Sequence, residues 1–125
     1  MLQIMDTVRD RGSRYAASGG AVADAAAIKA FLATLKSHKK FAKATHNTWA
    51  AILPDGTSLK DDDGESGAAA VILKMLERDG TRGRIIVVTR WYGGVNLGGD
   101  RFAHVVTSVR ALLADMQKGA PEGTP

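Results

Sequence analysis

The chain has 125 residues, enough for one ordinary hydrophobic core and too few for two full domains. Hydrophobic residues make up 45% and charged residues 24%, a globular composition, and the absence of cysteine removes disulfide frameworks, thiolate metal sites and cysteine nucleophiles. A net charge of +4 gives mild attraction to polyanions without the dense basic stripe of a committed nucleic-acid binder.

In chain order, the opening "MLQIMDTVRDRG" is broken by charge before a signal-like apolar segment develops, and no later run is long enough to cross a bilayer. A cytoplasmic protein with no membrane partner is expected. Residues 13–22 have modest strand character. Ile28, Phe31, Leu32 and Leu35 then fall at helical spacing, which predicts a helix over 23–38 with Asp24 near its start. Residues 45–53 read as a strand closed by the turn "PDGT" and a short polar return. Ser66 is the expected cap of a second helix, with Val71, Ile72, Met75 and Leu76 as its buried stripe and Asp79-Gly80 as its stop. The run 84–92 predicts a central strand covered on at least one face. A last helix keeps a 3.6-residue apolar period from Phe102 to Met116. This pattern predicts a single domain over 1–117, an α/β (α+β) two-layer sandwich. It would hold a mixed sheet of about four strands with helices mainly on one face, followed by a disordered tail over 118–125.

"TRWYGGVNLGGDRF", residues 89–102, joins the central strand to the last helix. Gly94 to Gly99 matches the skeleton of a phosphate loop, but Asp100 and Arg101 stand where lysine and serine or threonine are needed. What remains is a helix N-terminus with Arg101 in its first turn and Arg90 and Tyr92 arriving from the strand. That set either holds an anion or is a turn in which Asp100 caps the helix. Arg90 continues the face of Ile86 and Val88, so a buried guanidinium needs a carboxylate, and Asp62, Asp63 or Glu65 is the expected partner. The same acidic run suits Mg²⁺ or Ca²⁺ but lacks the calcium-loop order, and acidic groups before a helix equally complement its positive end. His46, in "THN", is either a site residue or part of a strand-entry turn. His104 reads as a packed or surface histidine. The lysines 36, 39, 40 and 43 sit near a helix end that favours cations.

Taken together, "ATHNTWA", "DDGES" and "VVTRWYGGVNLG" resemble the IMPACT/YigZ family over about residues 11–113. The resemblance implies a fold like the second domain of ribosomal protein S five. It also implies a shared surface of Thr45, His46, Asn47, Asp62, Asp63, Glu65, Arg90, Trp91, Tyr92, Gly93, Gly94, Leu97 and Gly98, to which Asp100 and Arg101 are added from the reading of the turn. "LGGDRF" is more similar to the eukaryotic branch, whose members regulate translation under amino-acid starvation by binding the activator of a stress kinase. Non-catalytic binding to a protein partner in translation or stress signalling is therefore the expected function, with RNA or the ribosome as the alternative partner. A Mg²⁺-dependent phosphate-handling hydrolase using His46 and the three carboxylates is the minor reading. No catalytic residue, metal ligand or cofactor is assigned. At 125 residues the sequence is expected to carry this domain without the additional RWD domain of eukaryotic members, and Ala69 and Ala70 stand where the family usually has more glycine.

Overall fold

The computed structural model describes residues 1–123, with side chains as far as Lys118. The apolar run in the middle of the chain becomes β5 (Arg84–Trp91), whose side chains at 85–88 are buried alternately on the two faces of a sheet. Around it lie β1 (Leu2–Asp10), β2 (Ser13–Ala21), β3 (His46–Ile52) and β4 (Ser58–Asp61), in the order β1-β2-β5-β3-β4. Every neighbouring pair is antiparallel. The helices are α1 (Ala25–Ser37), α2 (Lys39–Ala42), α3 (Ala68–Asp79) and α4 (Asp100–Gly123).

The expected sheet of about four mixed strands is thus corrected to five antiparallel ones, and the expected two layers to three. On one face α3 and α4 bring Ala68, Ile72, Leu76, Val105, Val109 and Leu112 against Tyr15, Ala17, Ala50, Ile52, Ile86 and Val88. On the other, α1 and α2 bring Ile28, Leu35 and Phe41 against Ala16, Ala51, Ile85 and Val87. Glycines in β2 let both layers approach. A Cβ on Gly19 would meet Leu112 of α4 at 2.9 Å, and one on Gly20 would meet Phe31 of α1 at 2.8 Å. The weak strand character of "SGG" is therefore the steric requirement of a strand packed closely on both sides.

The strand not foreseen is β1, at the sheet edge. Its alternation breaks where Asp6 adopts φ 53° and the register with β2 shifts between Ile4 and Val8. Asp24 caps α1 as expected, accepting the Ala27 N–H at 2.8 Å. The cap of α3 is not Ser66. The chain turns at Gly67 with φ 85°, and the carboxylate of Asp62 reaches back to the N–H groups of Gly67 at 3.0 Å and Ala69 at 2.8 Å. Gly80, at φ 71°, ends α3 where Asp79-Gly80 predicted. The tail expected over 118–125 falls almost wholly on residues 119–125, outside those whose side chains are described.

Candidate functional site

Register builds the site. In antiparallel strands, directly opposed residues share a face, and the pairings Tyr15↔Arg90 and His46↔Arg90 set three side chains in a row across β2, β5 and β3. The rows beneath are Ala17, Val88 and Thr48, then Gly19, Ile86 and Ala50. The apolar face therefore turns polar at the end of the strands, where the chain leaves β5 for α4.

Arg90 is 6% exposed. Its Nη1 donates to Glu65 Oε1 at 3.1 Å and Oε2 at 3.3 Å, and its Nη2 to Ser13 Oγ at 3.3 Å. The guanidinium lies 5.8 Å from the ring centre of Tyr15 and 5.6 Å from that of Tyr92, so aromatic faces supply further favourable charge contact. Of the three carboxylates expected as partners, Glu65 is the one used. The other two are committed to backbone. Asp62 holds the start of α3, and those amides lower its pKa below the ordinary carboxylate value. Asp63 Oδ2 accepts the Asn47 N–H at 2.7 Å. Glu65 Oε1 also accepts from Arg101 Nη1 at 3.3 Å, so one buried carboxylate joins β5 to the first turn of α4.

His46 approaches the same carboxylate, its Nε2 lying 3.9 Å from Glu65 Oε2. Its Nδ1 is 2.8 Å from the Asp63 carbonyl oxygen. A carbonyl only accepts, so Nδ1 carries a proton and Nε2 is the atom turned toward the cleft. Gly64, at φ 87°, lets the acidic turn pass the ring, since a Cβ there would stand 3.0 Å from it. These groups line a cleft of about 400 Å³ with Tyr92, Asn96, Leu97 and Gly98. Two guanidiniums against one carboxylate leave it net positive. Tyr92, 48% exposed, stands at its mouth, its hydroxyl 3.3 Å from Asn96 Oδ1. An exposed aromatic ring beside guanidiniums can stack on a planar group and pair with an anionic one.

The remaining expected residues divide. Thr45 supports the cleft from behind, its Oγ1 accepting the Tyr92 N–H at 2.8 Å. Asn47 is buried on the opposite face of β3, bonded to Phe41 O at 3.1 Å and Thr89 Oγ1 at 2.8 Å. Trp91 faces the α1 side, edge-on to Phe41 at 5.3 Å, with its Nε1–H donating to Lys40 O at 3.0 Å. Gly93 meets the β1–β2 turn so closely that a Cβ there would lie 2.0 Å from the carbonyl carbon of Gly12. Gly94, at φ 93°, meets open space and supplies only the turn. Asp100 lies in the first turn of α4, where its carboxylate takes the guanidinium of Arg11 at 2.6 Å. Among the described residues no three His, Asp or Glu side chains are arranged to hold a metal ion.

Ser13, Tyr15, Gly64 and Asn96 contribute without having been anticipated. Tyr15 is 1% exposed, its hydroxyl has no partner among the described residues, and burial pushes its pKa up to about 12. Its ring packs edge-on to His104 at 5.4 Å, and His104 Nε2 is 2.8 Å from Asp10 Oδ2. The signal for Tyr15 lay in strand pairing, which local sequence does not carry.

Comparison with known proteins agrees with this architecture. A family profile described as the Impact N-terminal domain matches residues 11–113. Protein IMPACT of Bos taurus is 39% identical over 113 residues, which cover 86% of this chain and 36% of that protein. The Protein IMPACT homolog of Schizosaccharomyces pombe is 34% identical over 125 residues, covering 95% and 45% respectively. The chain thus spans well under two thirds of these relatives. Among solved structures, a hypothetical protein superposes with a TM-score of 0.76 at 23% identity over 90% of this chain and 56% of that one, a likeness of fold. The two-domain translational regulator Yih1 superposes with a TM-score of 0.55 at 33% identity over 90% of this chain and 44% of its own. With the family profile covering most of its length, this chain belongs to the Impact N-terminal domain family.

Proposed function

We propose that this chain regulates translation in the cytoplasm by binding a protein component of translation or stress signalling, and that the cleft between His46, Tyr92 and Arg101 is its contact surface. The observation that carries the reading is kinship with translational regulators. Yih1 is described as one, and it shares 33% identity with this chain. The chemistry of the cleft supports binding over turnover. Asp62 and Asp63 are tied to backbone amides and Glu65 to two guanidiniums, so the carboxylates that a phosphate-handling hydrolase would use as metal ligands are already engaged.

RNA is the second reading, favoured by the net positive cleft and the exposed ring of Tyr92. The fold of the second domain of ribosomal protein S five, implied by the family resemblance, fits a ribosomal setting for either partner. The test pairs wild-type protein with Tyr92→Ala/Arg101→Ala, a variant that keeps the Arg90–Glu65 pair. At physiological salt, wild type recovers a defined translation component from cell extract and the variant does not. Equal recovery by both would remove the cleft from the account. Titration with a short structured RNA separates the readings, because phosphate-dominated binding weakens steeply as salt rises.

A further inference from the structure

A concavity larger than the cleft lies away from it, between the outer faces of α3 and α4. Its floor is apolar. Val71 and Met75 of α3 and Val106 and Leu113 of α4 line it, all half-buried, in a groove of about 560 Å³. These residues are one helical step from those the sheet covers, Ile72 and Leu76, Val105 and Leu112. Each helix therefore carries an apolar stripe wider than the sheet can bury. The rim is cationic. Lys74 and Arg78 stand on one side and Arg110 on the other, with Asp79 as the acidic exception at one end. Among the described residues none of these three cations makes an ion pair, whereas Arg9, Arg11, Arg14, Arg90 and Arg101 at the strand-end side all do.

From this geometry we infer that the α3–α4 groove is a second docking surface, which receives an amphipathic helix with acidic flanks from a protein partner. The floor asks for apolar anchors at i, i+3 or i+4, and i+7, and the rim asks for carboxylates beside them. Residues 71–79 and 106–117 run for roughly 12 to 16 Å along their helices, room for two to three turns of such a partner. Other occupants fit less well. A nucleic acid leaves the apolar floor unused, a flat lipid surface does not reach a floor recessed between two helices, and a second copy of this chain brings its own net charge of +4. No residue of the cleft lines the groove, so this surface stands or falls independently of the proposed function.

The test uses the whole chain and two synthetic amphipathic peptides of about fifteen residues with identical leucine spacing, one with glutamate and one with lysine on the remaining face. Amide NMR should show saturable shifts confined to 71–79 and 106–117 with the glutamate peptide, which should bind at least about tenfold more tightly than the lysine peptide. Arg78→Glu/Arg110→Glu, two exposed positions whose folding the same spectra report, should invert that preference. Tyr92→Ala should leave it unchanged. Equal affinity for both peptides, no binding of either, shifts centred on 46 and 92–101, or groove shifts with anionic phosphatidylglycerol vesicles instead of peptide would each overturn the inference.

Discussion

Arg90 and Trp91 are neighbours in β5, yet they leave opposite faces of the sheet and are held by different physics. Arg90 is a buried charge whose position depends on Glu65, Ser13 and two aromatic rings. Trp91 is an apolar body packed on Phe41 with one hydrogen bond to Lys40 O, and the Lys40 ammonium lies 5.3 Å from its ring centre. A packed ring tolerates small shifts of its neighbours. A buried guanidinium does not, because losing its carboxylate leaves an uncompensated charge. The Arg90 face is therefore the more rigidly specified of the two, and it is the one that opens into the cleft.

The largest expected effect tests that contrast directly. Glu65→Ala should lose about 3–5 kcal/mol in urea unfolding, since Arg90 stays buried without its partner. Arg90→Met should lose less, because Glu65 keeps Arg101. A loss from Glu65→Ala smaller than that from Trp91→Ala would break the comparison. Trp91→Ala, which removes a half-buried ring, should cost about 2 kcal/mol and leave partner recovery through the cleft intact.

Asp62→Ala should cost about 1 kcal/mol by uncapping α3. The folded-state pKa of Asp62 lies below its ordinary value of 3.8, so its contribution is present above that pH and is lost as pH falls through the lower value. The difference in urea midpoint between wild type and Asp62→Ala should accordingly shrink on acidification. The smallest effect belongs to Tyr15→Phe. Because the buried hydroxyl has no partner among the described residues, its removal relieves a desolvation cost and breaks no bond, so stability at neutral pH should rise, by up to about 1 kcal/mol. The difference should widen in alkali. Wild-type stability is present below the ordinary tyrosine value of 10.0 and falls as pH rises toward about 12, and the phenylalanine variant should lack that part of the loss.

Helical spacing was enough to place α1, α3 and α4, and the runs at 45–53 and 84–92 to place β3 and β5. Spacing records that a helix has an apolar face but not which side of a sheet it covers, and so the helices were expected mainly on one face, whereas α1 and α2 cover the other. The buried run 85–88 held the missing clue, for a strand apolar on both faces needs helices on both. Strand direction has no local signature, which is why an all-antiparallel sheet was not foreseen. Edge strand β1 was hidden because Asp6 interrupts its alternation. At the site, the need of Arg90 for a carboxylate was legible, since a cation continuing an apolar face must be neutralised. The choice among three acidic residues within four positions was not. It follows from the backbone, which engages Asp62 at the start of α3 and Asp63 at Asn47, and leaves Glu65 for the guanidiniums. Tyr15 and Ser13 reach Arg90 from some 75 positions earlier, a distance only strand pairing closes.

The break in β1 limits how anything can attach to this molecule. On that edge the paired run is three residues on either side of the shift, and on the other edge β4 is four residues long. Neither margin offers the straight, uninterrupted backbone that an incoming strand needs to extend a sheet. Recruitment by sharing main-chain hydrogen bonds is thereby disfavoured, as is stacking of copies edge to edge at high concentration. A partner has to read side chains, and selectivity on this scaffold can change by substitution alone, without redrawing the fold.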